Sequence, residues 1–315
     1  MDFLTFAQKQ LKHAVQKIKT TMLTIVEHQP EEEDQLPWLI LPSHDFRTNS
    51  ITFLDFSVNE VINLKFPETQ GKIICGFSMN WLIMIDDGAS EITLFSPITR
   101  DQIRLPPIMY KSMKQEFVHK AILSSSPDNS LTDYIVMVIY GESKQLAYYN
   151  ASIKTWTLLE EAGSYYDDII CFEDGLYAVD EYGKLVIFNP NRCSKITVIL
   201  NPSLFQGQKL YLVDLEGDLG LVIRYISDEP NIGCGTYKFT VHIQDQGKWV
   251  EIKNLDECAA LVGYNQSIVL CSERLKGLKS DCIYFTDYYL DEKIKGGSQE
   301  ICVFSLENCS FQSLR

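Results

Sequence analysis

The dominant pattern along the chain is an alternation of short apolar runs with polar turns. Runs rich in Val, Ile, Leu, Tyr and Phe are separated by Gly, Asn, Asp and Ser, which is typical of β-strands joined by tight turns. One hairpin-like unit recurs about six times and consists of an apolar strand, a polar turn and a second strand. The copies occupy residues 51–64, 91–105, 145–159, 184–200, 239–252 and 301–314.

This repetition predicts the architecture. A supersecondary unit that recurs at intervals of roughly 40–60 residues indicates an array of units that share a core. Because the unit is all-β, we predict an all-β fold over residues 36–315, a β-propeller of six blades with seven blades as the alternative. The first blade has one strand fewer than the others in this interpretation.

The N-terminal segment follows a different period. Apolar residues recur at a spacing of three to four positions, which predicts one amphipathic helix over residues 1–28. Its polar face carries four lysines. The next segment, QPEEEDQ at 29–35, is acidic, contains a proline and is predicted to be a linker. The helix either packs against the propeller or a partner, or serves as an organelle-targeting segment. The absence of Arg and Ser before residue 43 disfavours targeting.

Composition narrows the class of partner. The formal net charge of −14 argues against nucleic acid, since such binding depends on Lys and Arg at phosphates. The chain has no apolar run of transmembrane length, so we expect no membrane association. The negative charge is otherwise interpreted as favouring solubility, and it does not indicate which protein partner is bound.

The nine cysteines show neither CxxC spacing nor an even count, so neither a zinc ribbon nor a redox motif is indicated. Most lie within apolar strand runs. We therefore expect reduced, buried thiols in a cytoplasmic or nuclear protein, with an organelle as the alternative. The cysteines are Cys75, Cys171, Cys193, Cys234, Cys258, Cys271, Cys282, Cys302 and Cys309.

Seven segments between Leu36 and Tyr289 resemble a plant family, the F-box-associated domain of unknown function 295, also described as a KIB-type β-propeller. Their shared order along the chain carries the resemblance. The segments are LPWLILP (36–42), CGFSMNWLIMID (75–86), LFSPITRDQIRLPP (94–107), DIICFEDGLYAVDEYGKLVIF (168–188), DLEGDLGLVIR (214–224), KWVEIKNL (248–255) and DCIYFTDYY (281–289).

The resemblance implies a plant source and a protein–protein recognition role. In that family the propeller is taken as the substrate-recruiting part of an SCF ubiquitin ligase, and an N-terminal F-box docks onto the Skp1 adaptor. Residues 1–35 show one predicted helix and no F-box motif. We therefore expect no Skp1 docking from these residues. The helix is a remnant of a lost F-box in one interpretation, and the alternative function is an F-box-free binding protein without a ubiquitin-ligase role.

Catalytic chemistry has little support in the sequence. There is no GxSxG nucleophile elbow, and the histidines are scattered along the chain, so each is expected to be structural or exposed. Gly233-Cys234-Gly235 lacks the third glycine of a dinucleotide fingerprint. We predict no enzyme activity and no catalytic, cofactor-binding or metal-binding residue. The histidines are His13, His28, His44, His119 and His242.

Two further residue sets are candidate sites. The carboxylate pairs Asp86-Asp87, Asp167-Asp168 and Glu173-Asp174 could serve acid–base chemistry or bind a hard cation. Adjacent residues of a strand point to opposite faces, so solvated turns are the favoured interpretation. Four tryptophans could be partner anchors, but packing between blades is favoured. They are Trp38, Trp81, Trp156 and Trp249.

Overall fold

The computed structural model describes most of the region predicted to be β-structure. The described residues are 38–41, 49–55, 60–86, 91–108, 118–127, 133–189, 193–201, 208–227, 235–263, 265–271, 275, 277–286 and 301–313. Within these ranges the chain forms 24 β-strands and two 3-10 segments, Pro67–Thr69 and Glu160–Ala162, and no α-helix. The helix predicted over 1–28 and the linker at 29–35 lie outside the described residues.

The strands form six sheets in chain order. The first three sheets take up the N-terminal half of the described chain. The first sheet contains β1 (Trp38–Leu41), β2 (Ser50–Asp55) and β3 (Glu60–Lys65). The second contains β4 (Lys72–Ser78), β5 (Trp81–Asp86), β6 (Ile92–Phe95) and β7 (Gln102–Arg104). The third contains β8 (Val118–Leu123), β9 (Ile135–Tyr140), β10 (Gln145–Asn150) and β11 (Thr155–Leu158).

The other three sheets continue the same up-and-down order until the last one. The fourth contains β12 (Tyr166–Phe172), β13 (Gly175–Asp180), β14 (Leu185–Asn189) and β15 (Cys193–Leu200). The fifth contains β16 (Gln208–Leu215), β17 (Asp218–Ile226), β18 (Thr236–Asp245) and β19 (Lys248–Ile252). The sixth contains β20 (Cys258–Val262), β21 (Ile268–Cys271), β22 (Cys282–Thr286), β23 (Ile301–Ser305) and β24 (Ser310–Ser313).

The all-β propeller prediction is confirmed, but the predicted blade number and N-terminal helix are not. Five sheets have the four or five strands of a complete blade, and the first sheet has three, so the predictions of six or seven blades are wrong. The repeat in the sequence gives the number of hairpins. The number of strands in a sheet depends on which further strands pair with each hairpin, and a hairpin pattern does not show that. The sixth sheet has the order β21-β20-β22-β23-β24, in which β20 and β22 run parallel.

The apolar core lies between the faces of neighbouring sheets. Strand β9 is buried along its whole length, and its residues alternate between two clusters. Val136 and Val138 pack with residues of the second sheet, whereas Met137 packs with residues of the fourth. This alternation follows from the two-residue period of a strand and explains a continuous apolar run that is buried on both faces.

The first sheet is held by its neighbours on both sides. Phe53 shares a cluster with Met84 and Phe95 of the second sheet. Leu54, the next residue of β2, shares a cluster with Tyr284 and other residues of the sixth sheet. The first sheet therefore packs between the last and the second sheet of the chain.

The tryptophans join neighbouring sheets, so the packing interpretation is confirmed for three of them. The Nε1–H group of Trp81 donates to Ser126 Oγ at 3.3 Å, that of Trp156 to the Pro106 carbonyl at 2.7 Å, and that of Trp249 to the Gly183 carbonyl at 3.0 Å. Each bond runs from one sheet to the next. The side chain of Trp38 lies outside the described part of the chain.

The expectation of reduced cysteines is wrong for one pair. Cys258 and Cys271 lie opposite each other on β20 and β21, and their sulfurs form a disulfide. Their separation of 13 residues carries no spacing motif, because the pairing depends on strand register. Three of the free cysteines, Cys75, Cys282 and Cys302, are buried as expected.

Candidate functional site

A polar cleft opens between the third and fourth sheets. It forms where the residues that follow β8, those that precede β9 and the β10–β11 turn meet the turn between β12 and β13, and it has a volume of about 430 Å³. This volume lies in the ordinary range of ligand pockets. The cleft is lined by Ser124, Ser125, Asp133, Tyr134, Ile135, Asn150, Ser152, Cys171, Glu173, Asp174, Gly175 and Leu176.

One wall of the cleft is the tight turn between β12 and β13. Glu173 takes a left-handed conformation with φ 48°, and Asn189 Nδ2 donates to the Asp174 carbonyl at 2.9 Å. The next residue is Gly175. A Cβ added to it would lie 2.8 Å from Ile187 Cδ1, so any side chain at this position would press against the Ile187 side chain of β14. The turn thus places two consecutive carboxylates at the cleft.

The other wall is held by hydrogen bonds within the third sheet. Ser152 Oγ donates to Asp133 Oδ1 at 3.2 Å, and Ser125 Oγ donates to the Asp133 carbonyl at 3.3 Å. The Ile135 amide donates to Ser124 Oγ at 2.9 Å. These bonds join the start of β9 to the two connections beside it, so the cleft has a defined shape.

The cleft is acidic. Asp133, Glu173 and Asp174 line it, and its described lining contains no Lys, Arg or His. Burial, with a smaller contribution from Tyr149, raises the pKa of Tyr134 to about 12. Burial and then the Asp174 charge raise the pKa of Cys171. Both groups therefore stay protonated at neutral pH, and the Cys171 thiol is a poor nucleophile. Because the charged groups of the lining are carboxylates, the cleft is suited to binding cationic and hydrogen-bonding groups.

The prediction that Asp167 and Asp168 are solvated turn residues is wrong. Both are buried, and both accept hydrogen bonds from β16: the Leu210 amide donates to Asp167 Oδ2 at 3.1 Å, and the Leu212 amide donates to Asp168 Oδ2 at 2.8 Å. A shift in register between Tyr166 and Asp168 interrupts the alternation of the strand. Two consecutive carboxylates can therefore face the same neighbouring strand.

Three lysines neutralise this buried pair. Lys120 of β8 forms an ion pair with Asp168, while Lys144 and Lys209 lie 3.1 and 3.3 Å from Asp167 Oδ1. The cluster joins the third, fourth and fifth sheets at their edge strands. The sequence pattern did not predict that these lysines pair with Asp167 and Asp168. Lys120 lies inside the apolar run of β8, and a lysine in such a run indicates a buried partner of opposite charge.

The histidines do not assemble into a site. His119 Nε2 lies 2.9 Å from the Gly141 carbonyl, and burial lowers the pKa of His119 to about 4 against the opposing effect of that bond. Burial also lowers the pKa of His242, which lies on β18 of another sheet. His13, His28 and His44 lie outside the described residues. The prediction of no enzyme activity and no catalytic residue stays a prediction.

The remaining predicted residues are separate from the cleft. Asp86 forms an ion pair with Lys72 across β4 and β5. Asp87, Gly233 and Cys234 lie outside the described residues, and Gly235 takes a left-handed conformation with φ 65°. None of the described helical segments is long and apolar enough to cross a membrane.

Comparison with known proteins identifies the class. The model of the KIB1-4 β-propeller family matches residues 53–305, so the chain belongs to this family of β-propellers. The Arabidopsis thaliana F-box protein SKIP23 is 23% identical over 234 residues, which cover 59% of this chain and 57% of that protein. The Arabidopsis thaliana F-box protein At3g56470 is 22% identical over 280 residues, with 84% and 72% covered.

Solved structures show a distant likeness. TolB from Acinetobacter baumannii has a TM-score of 0.48 at 9% identity, covering 88% of this chain and 62% of that one.

Proposed function

We propose that this chain is a non-catalytic protein-recognition module and that it binds its partner at the acidic cleft between the third and fourth sheets. The observation that supports this most directly is the convergence of connections from two neighbouring blades on one polar concavity. Packed sheets hold such connections in place, and loops on a rigid scaffold commonly carry binding residues. The family relationship supports the same role.

The lining indicates what the partner presents. Three carboxylates, those of Asp133, Glu173 and Asp174, line the cleft, and their negative charge favours a Lys or Arg side chain of the partner. A guanidinium group pairs with a carboxylate through two parallel hydrogen bonds and is a common interface anchor. The protonated Tyr134 adds a donor for a backbone carbonyl of the partner, and so does Ser124, whose oxygen accepts from the Ile135 amide and whose own proton is not used in that bond.

We also propose that this chain recruits substrates to a plant SCF ubiquitin ligase in the cytoplasm or nucleus. The names of the F-box relatives support this context. The competing hypothesis is a binding protein of the same fold without a ligase role.

Affinity purification of the tagged full-length chain from plant tissue tests the cleft. The variant E173K/D174K reverses two charges at the cleft. The control E160K/E161K reverses two consecutive exposed charges between β11 and β12, at the opposite end of β12. We expect the control to recover the wild-type partner, and the cleft variant to lose it both in purification and in direct binding to the purified partner.

Equal recovery of the same partner by the cleft variant would refute the cleft as the binding site. Co-purification of a Skp1-type adaptor and a cullin with the wild-type chain supports the ligase context. A partner that is retained under gentle lysis without these subunits favours the competing hypothesis.

A further inference from the structure

Three potential metal ligands converge at the boundary between the fifth and sixth sheets. Cys258 begins β20, Cys271 ends β21, and Glu216 lies in the turn between β16 and β17. The two sulfurs and a carboxylate oxygen of Glu216 all lie within 4.8 Å of one another. The convergence joins Glu216 to two cysteines that lie 42 and 55 positions further along the chain, and the repeat pattern of the sequence does not indicate it.

The surroundings suit a cation that enters from solvent. Cys258 is only 4% exposed, whereas Cys271 is half-buried and Glu216 is exposed, so the group has a buried floor and an open side. Further carboxylates flank it in sequence: Asp214 and Asp218 lie beside Glu216, and Glu257 precedes Cys258. Clustered carboxylates favour the approach of a cation.

We propose that Cys258, Cys271 and Glu216 bind one thiophilic divalent cation, for which Zn²⁺ is the best match, once the disulfide is reduced. Thiolate ligands select soft or borderline metals such as zinc over magnesium or calcium. Two thiolates and one carboxylate fill three positions of a tetrahedral zinc ion, and water takes the fourth.

The disulfide and the metal site are alternative states of the same two cysteines. A dithiol reductant supplies two electrons and two protons, the sulfur–sulfur bond breaks, two thiols form, and the reductant becomes a disulfide. Zinc then binds both sulfurs as thiolates, and their two protons pass to solvent. Zinc binding therefore favours the reduced state by mass action, and oxidation releases the ion.

The two states tie different parts of the propeller together. The disulfide joins two strands of the sixth sheet, β20 and β21. A zinc ion held by all three groups also connects the sixth sheet to the β16–β17 turn of the fifth. Reduction in the presence of zinc thus exchanges a link within one sheet for a link between two sheets.

Calorimetric titration of the full-length chain with Zn²⁺ tests the proposal. The chain is reduced with a phosphine, and Co²⁺ serves as a second probe because thiolate coordination gives it intense charge-transfer absorption. We expect one ion per reduced chain and no binding to the oxidised chain. C258S/C271S should abolish zinc binding, and E216Q should weaken the affinity for zinc about 10-fold or more. Removal of a group that only supports a metal ligand already lowers metal affinity by that factor.

The control is C309S, which removes an exposed free cysteine elsewhere and should bind zinc like the wild type. Circular dichroism verifies folding, and C271S alone replaces the double variant if the latter does not fold. Absence of binding to the reduced chain, or binding retained without either cysteine, overturns the proposal. Unchanged affinity of E216Q overturns the three-ligand site.

Discussion

Lys120 and Asp168 form a buried ion pair that joins the third sheet to the fourth. The side chains are 8% and 1% exposed, and the Asp168 carboxylate also accepts hydrogen bonds from the Ile169 and Leu212 amides. One carboxylate of β12 therefore contacts β8 and β16 as well as the backbone of its own strand. Because water does not reach it, its charge depends on these partners.

Replacing Lys120 should destabilise the protein strongly. K120M leaves the Asp168 carboxylate buried without its cation, which typically costs about 3–5 kcal/mol in the free energy of unfolding. Urea unfolding measures the loss. The matched control is K253M, which removes the cation of the exposed Lys253–Glu251 pair and should cost less than about 1 kcal/mol. Similar losses in the two variants would show that the buried pair is not a structural link.

His119 should make stability depend on pH. Its pKa is about 4 in the folded chain and 6.5 as its ordinary value, so the unfolded chain binds more protons between these values. Stability should therefore fall as pH drops from 6.5 to 4, by on the order of 3 kcal/mol for this residue. Urea unfolding at a series of pH values should show a smaller decline for H119Q than for the wild type.

His242 provides the comparison for that experiment. Burial lowers its pKa as well, so H242Q should also reduce the pH dependence in the same direction. A decline in H119Q that is as steep as in the wild type would contradict the buried, neutral state of His119.

Gly76 should not tolerate a side chain. A Cβ added there would lie 2.0 Å from the Ala121 carbonyl oxygen, which belongs to the backbone of β8 in the next sheet. G76A must therefore push β4 and β8 apart, and a loss of about 2 kcal/mol or more in the free energy of unfolding is expected.

The control for G76A is G217A. Gly217 has φ 102° and an added Cβ would meet no atom within 4 Å, so only backbone strain opposes alanine there. That strain costs about 1 kcal/mol or more. The two thermal unfolding curves separate the effects: G76A should lower the midpoint more than G217A, and the reverse order would argue against a close β4–β8 contact.

The hydrogen bonds that the indole groups donate between sheets should contribute measurably to the free energy of unfolding. W156F keeps an aromatic ring at the cluster of the second and third sheets but removes the donor to the Pro106 carbonyl. Loss of one such bond should cost about 1 kcal/mol. Chemical denaturation of W156F beside W156L separates this contribution from ring packing, and W156F should be the more stable. A wild-type midpoint for W156F would mean that the bond adds nothing.

Local patterns predicted the strands because a strand leaves a two-residue period in its own residues. The apolar run of β9 and the Glu173-Asp174 turn were visible without the fold. The family resemblance also lay in the order of short segments along the chain. These features depend on neighbours in sequence, so the sequence alone determined the all-β class and the hairpins.

The tertiary structure decided which distant residues meet. A one-residue register shift turned Asp167 and Asp168 towards the same strand, and strand pairing placed Cys258 opposite Cys271. The number of complete blades and the acidic cleft arose in the same way, from contacts between separate sheets. A periodic pattern specifies the face on which a residue lies, whereas register and bulges set its partner across the sheet, and those depend on the packing of the whole propeller.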